Sequence, residues 1–130
     1  MIWQSNFVEI ESFQLGDKTI SIIKPTENKV AYHFMFDGLS KYSKQVIQSF
    51  NSIFNSGHCY IVYSMKGVSV LSDIGLAGFQ RELDEARQRG GDIRLCEVGT
   101  EVLNVIELLG MNKILKIYQT QNEAIQSFTN

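Results

Sequence analysis

A change of rhythm at Asp37-Gly38 divides this sequence into two halves that demand different backbone geometry. Before it, Val30, Tyr32, Phe34 and Phe36 alternate with Ala31, His33 and Met35, the period of two that turns one strand face toward a core. Phe7 to Phe13 and Lys18 to Lys24 read as two earlier strands, parted by the turn signal Gly16-Asp17 and followed by a proline-led polar turn from Pro25 to Lys29. These three segments predict an antiparallel meander.

Beyond the break the spacing becomes helical. Tyr42, Val46, Ile47, Phe50, Ile53 and Phe54 form one apolar stripe, with Ser40 placed to cap its start and Gly57 to end it. Cys59 to Met65 suits a central strand, and Val68 to Leu71 resumes as a strand after Lys66-Gly67. Leu76, Phe79, Leu83 and Ala86 mark a second helix stopped by Gly90-Gly91. Ile93 to Val98 is a strand, Thr100 is placed to cap a helix that Gly110 ends, and Ile114 to Tyr118 is a last strand. Thr120-x-x-Glu123 is a capping box for a C-terminal helix. The second half therefore reads β-α-β-α-β-α. That order calls for parallel strands with helices packed on the sheet. The fold class expected is α/β, with a mixed sheet whose N-terminal part is antiparallel.

At 130 residues the chain is expected to be a single domain, long enough to bury a core without a metal or disulfide staple. Twelve basic residues face 14 acidic ones, for a formal charge of −2, and the densest run, Arg81 to Arg89, interleaves Glu82, Asp84 and Glu85. With Arg81–Glu85 and Glu85–Arg89 at i,i+4 spacing, it reads as a solvated helix face, and nucleic acid is an unsuitable partner. Met1 to Phe13 has no basic start leading into a long apolar run, and no stretch approaches a bilayer-spanning length. No membrane association is therefore expected. Cys59 and Cys96 lie in apolar runs, as free thiols do in a reducing cytoplasm.

Reactive constellations are absent. His33 and His58 fall in different elements without metal-ligand spacing, and there is no nucleophile elbow or phosphate-binding loop. No cofactor and no enzymatic activity are expected. The chemically distinctive place is Ser72-Asp73-Ile74, between a strand and a helix. There the first amide N–H groups of a helix, and the positive end of its dipole, favour an anion or a capping side chain.

The run Ile61 to Gly78, with the turn Leu71-Ser-Asp-Ile-Gly-Leu-Ala-Gly78, resembles the central signature of STAS domains, the anti-sigma factor antagonists and their relatives. Gly90-Gly91, the strand Asp92 to Val98, the helix Val102 to Gly110, Lys113 to Tyr118 and Glu123-Ala-Ile125 follow in that family's order. The likeness spans residues 28–128, with 1–27 as additional N-terminal strands. It implies a bacterial, cytoplasmic regulatory module that acts in signalling and transcription control. Such a module would dock onto a protein, an anti-sigma factor that is also a serine kinase, through the 72–78 turn and the helix after it. The implied contact residues are Asp37, Ser72, Asp73, Ile74, Gly75, Ala77 and Gly78.

In the family a serine in this turn accepts a phosphate that abolishes docking. Aligned through Gly75, that serine falls on Asp73, which cannot be phosphorylated by a serine kinase; Ser72 is the displaced candidate acceptor. Two other readings compete. One is a small-ligand sensor with Tyr32, Phe34 and Phe36 lining a cavity. The other is a homodimer or oligomeric scaffold seamed by Ile2, Trp3, Phe7, Val8 and Ile10.

Overall fold

The computed structural model describes residues 3–26 and 33–129. Strands β1 (Trp3–Gln4), β2 (Val8–Leu15) and β3 (Lys18–Pro25) come first, then β4 (Phe34–Phe36) and helix α1 (Lys41–Asn55). There follow β5 (Tyr60–Ser64), β6 (Val68–Leu71), α2 (Asp73–Gln88), β7 (Asp92–Cys96), α3 (Thr100–Leu108), a 3-10 turn (Met111–Lys113), β8 (Ile117–Tyr118) and α4 (Gln121–Gln126).

The main sheet has the order β1-β2-β3-β5-β7-β8, antiparallel as far as β3 and parallel from there on. This is the mixed α/β architecture that the sequence predicts. The β2–β3 hairpin keeps register from Val8↔Pro25 to Leu15↔Lys18 across a turn in which Gly16 has φ +62°. Its far strand, β3, lies along β5 and so joins the two halves of the sheet.

One expectation is corrected. Of the third meander strand, Val30 to Tyr32 lie outside the described residues. Phe34–Phe36 does not extend the hairpin but pairs in parallel with β6, forming a separate two-stranded sheet. Two smaller corrections follow. Gly99, not Thr100, occupies the cap position of α3, without a side-chain bond, and the last strand shortens to two residues because Ile114 and Leu115 turn back to bond the Met111 carbonyl.

The three long helices cover one face of the sheet. Val46, Phe50 and Ile53 of α1, Phe79 and Leu83 of α2, and Val102 and Ile106 of α3 bury against Ile10, Ile23, Ile61, Tyr63, Ile93 and Leu95. At the centre Tyr63 meets Phe36 and Phe50 edge-on at 5.9 Å each, and its hydroxyl bonds that of Tyr42 at 2.6 Å. On the other face α4 covers Ile20, Ile22, Val62 and Cys96 with Ala124, Ile125 and Phe128. A six-residue helix cannot hold itself. Its start is a complete capping box at Thr120–Glu123, and its end is latched by Arg94, which bonds the Ser127 carbonyl at 2.6 Å and lies 4.1 Å from the Phe128 ring centroid. Arg94 and Arg87 together pair the buried Asp92 at 3.1 and 3.0 Å.

No helix among the described residues is long and apolar enough to cross a membrane. Cys59 and Cys96 are both free, the first half-buried and the second buried. Of the apolar N-terminal residues, Ile2 and the Trp3 side chain lie outside the described set, while Val8 and Ile10 belong to the core and present no surface for a seam.

Candidate docking site

The small β4–β6 sheet creates the site, because the chain leaves both of its strands at the same end. From β4 it enters the loop 37–40, and from β6 it enters α2. The backbones touch there: the Ser72 N–H donates to the Phe36 carbonyl at 3.2 Å. A Cβ built on Gly75 would stand 1.9 Å from that same oxygen, so only glycine allows the approach.

Each arm is held by its own side chains. Asp37 Oδ1 accepts the Leu39 and Ser40 N–H groups at 2.9 and 2.8 Å, and these bonds hold its carboxyl below the usual carboxylate range. Ser40 caps α1 by accepting from Ser43 N–H at 3.1 Å, while its hydroxyl donates to the Met35 carbonyl at 2.7 Å. Gly38, at φ +82°, donates its N–H to Ser43 Oγ at 2.9 Å and lies against Ile74; a Cβ on it would be 2.5 Å from Ile74 Cγ2. On the second arm Ser72 is the N-cap, its hydroxyl accepting from Gly75 N–H at 3.2 Å. Asp73 is exposed in the first helical turn, where a carboxylate beside the helix dipole adds roughly 0.3–1 kcal/mol.

The structure thus brings Asp37 beside the 72–78 turn and gives the residues different tasks. Asp37, Ser72 and Gly75 build the turn; Asp73, Ile74 and Ala77 face outward. Gly78 lies at the floor of a groove of about 410 Å³ between α1 and α2, lined also by Lys44, Ile47, Ile74, Arg81 and Glu82.

Ile74, expected from the sequence as a contact residue, is 61% exposed. Sequence reasoning missed its neighbours in this surface: Leu39 is 69% exposed, and Met35 and Val70, cross-strand partners on the β4–β6 pair, are 45% and 42% exposed. Monomer surfaces seldom present such a set together. The alternation of Phe34 and Phe36 with Met35 already placed Met35 on the outer side; the exposure of Val70 depends on a pairing with no local signal. Phe34 and Phe36, by contrast, are core residues, and the space beside Phe36 is about 10 Å³, room for a water at most. Phe36 also borders the α1–α2 groove, and Tyr32 lies outside the described residues.

Lys44 and Arg81 have no ion-pair partner among the described residues, whereas Glu85 pairs Arg89 at 2.8 Å. Burial raises the Glu82 carboxyl, and Arg81 partly offsets this. Among the described residues no group of three or more His, Cys, Asp or Glu is placed to hold a metal ion. What the site offers is an apolar, irregular surface with a few fixed charges, suited to contact with another macromolecule.

A mixed sheet with helices on both faces and a strand-to-helix turn at an exposed pole defines a class, and sequence comparison assigns the family. The STAS domain profile matches residues 20–124, and the chain belongs to that family. No curated protein matches it in sequence. Among solved structures, a candidate anti-sigma factor antagonist from Thermotoga maritima superposes with a TM-score of 0.72 at 19% identity, over 93% of this chain and 95% of that one. The anti-sigma factor antagonist SpoIIAA in its unphosphorylated form gives 0.62 at 14%, over 92% and 95%. Bacillus SpoIIAA in its phosphorylated form gives 0.60 at 13%, over 92% and 98%. At these identities the likeness concerns the fold.

Proposed function

We propose that this STAS domain is a cytoplasmic, non-enzymatic regulatory module that docks onto a protein partner through the 72–78 turn, the loop 37–40 and the exposed side of α2. The observation that carries this reading is the contact of Gly38 with Ile74. It joins two separate chain segments into one surface on which Leu39, Ile74 and Asp73 stand exposed. By analogy with the antagonists of similar fold, the partner is an anti-sigma factor.

A phosphoserine at the helix start would carry about −1.5 to −2 charges; Asp73 carries one, cannot be removed by a phosphatase, and has no hydroxyl to modify. Docking is therefore constitutive with respect to position 73, and the partner presents a cation or hydrogen-bond donor opposite it. Ser72 is poorly placed as a substitute acceptor, since its hydroxyl is half-buried and engaged as the helix cap.

The test is capture of an anti-sigma factor with serine-kinase activity from the same organism, using wild type and Asp73→Lys as baits, with melting temperatures measured alongside. Wild type retains the factor, and the variant loses it with an unchanged melting temperature. Equal capture by both proteins would remove the turn from the interface. In the same assay Asp73→Ser becomes a substrate for the factor's kinase activity, whereas wild type takes up no phosphate.

A further inference from the structure

A second site lies where the sheet changes the side on which its helices pack. β7 passes into α3, whose Val102 and Ile106 pack on the face of the long helices, whereas its neighbour β8 passes into α4 on the opposite face. Loops that leave adjacent parallel strands toward opposite faces open a crevice at the strands' carboxyl ends, the usual place for a ligand in an open α/β sheet. Here that crevice is a concavity of about 510 Å³, with Val98, Leu103, Leu115 and Ile117 as its apolar wall and Asn112 and Gln119 at its edge.

One acidic side chain governs its chemistry. Glu97, the residue after β7, lines this crevice and also a polar concavity of about 470 Å³ that holds Ser64, Lys66 and Gln121. It is the single non-glycine residue with positive φ, +56°, among the described residues. That conformation is disfavoured for a side chain with a Cβ and is concentrated at functional positions. Ser64 Oγ donates to its Oε1 at 2.8 Å and so fixes the carboxylate. No cation pairs with it among the described residues: the nearby Lys24 is held by Glu11 at 2.7 Å, and Lys66, which lines the same polar concavity, lies beyond ion-pair distance. A half-buried, oriented carboxylate beside an apolar wall disfavours anions and asks for a charge-assisted donor.

We infer that this crevice binds a small primary amine with an apolar body, its ammonium on Glu97 and its body against Val98, Leu103 and Ile117. The site shares no residue with the proposed docking surface, so either assignment can fail without the other.

The experiment is a ¹⁵N–¹H NMR titration of the full chain with phenethylamine, and separately with its neutral and anionic counterparts, 2-phenylethanol and 3-phenylpropionate. The amine is expected to shift the amides of Glu97, Val98, Tyr118 and Gln119 saturably at concentrations of about 1 mM, and the counterparts to bind about tenfold more weakly or not at all. Glu97→Gln, which keeps the acceptor for Ser64, is expected to weaken the amine about tenfold. Glu97→Gly removes the carboxylate while relieving the backbone, so it abolishes binding in a protein that folds at least as well. The assignment is overturned if the amine produces no saturable shifts up to about 10 mM, if the alcohol binds equally, or if both variants retain wild-type affinity.

Discussion

Two glycines three positions apart in α2 show how differently the same residue can be required. At Gly75 a methyl group would meet the Phe36 carbonyl at 1.9 Å, so Gly75→Ala must displace backbone and is expected to cost about 1–3 kcal/mol or more. At Gly78 the same methyl would find neighbours only at 3.8 and 4.0 Å. Glycine inside a helix costs about 0.8–1.0 kcal/mol relative to alanine, so Gly78→Ala should raise stability by an amount of that order. Thermal melts of the two variants should move in opposite directions. The fold does not call for glycine at 78; the proposed docking of a partner in the α1–α2 groove would give it a reason. The thiols make a second residue-scale test. Burial, with Glu97 adding to it, pushes the Cys96 thiol up to about 12, and burial also raises Cys59. Thiolate is the reactive form. Alkylation at neutral pH should modify Cys59 slowly and Cys96 only on unfolding; fast labelling of Cys96 in the folded protein would contradict its environment. The candidate contact residues were legible through the family turn, and Ser72 as a cap was legible from residue type alone. That Asp37 and Gly75 build the turn was not, because this depends on the Phe36 carbonyl 39 positions before Gly75 in the chain.

Elements were largely readable because most carry their own punctuation. Ser40 caps α1, Gly57 and Gly90 adopt positive φ after α1 and α2, and Thr120 with Glu123 forms the expected box. The failures share one cause. Periodicity states that a segment is extended but not which strand it meets, so Phe34–Phe36 was assigned to the hairpin beside it rather than to Val68–Leu71 more than 30 residues onward. Thr100 has the residue type of a cap, yet the extended backbone that capping needs falls on Gly99, at φ −70° and ψ 159°. For α4, the least self-sufficient helix, the Arg94 latch sets stability. Arg94→Ala removes its bonds to Ser127 and Asp92 and its contact with Phe128, with an expected loss of about 2–3 kcal/mol. Amide exchange should then accelerate in α4 and over Ile20, Ile22 and Val62 beneath it. Unchanged exchange there would show that the apolar contacts alone hold the helix.

For the whole molecule, the arrangement separates a packed scaffold from the pole proposed to meet a partner. The sheet and its helices bury the aromatic centre, while the small β4–β6 sheet carries two loops outward and locks them together through Gly38 and Ile74. In the proposed function the fixed carboxylate of Asp73 takes the place of a phosphate switch, and the surface would keep one electrostatic state. The direct test is a pair of binding isotherms against the partner anti-sigma factor, with and without ATP, for wild type and for Asp73→Ser. Affinity of the wild type is predicted to be the same in both conditions, while Asp73→Ser loses affinity once ATP is present. An ATP-dependent fall in wild-type affinity would contradict the claim that Asp73 makes docking constitutive.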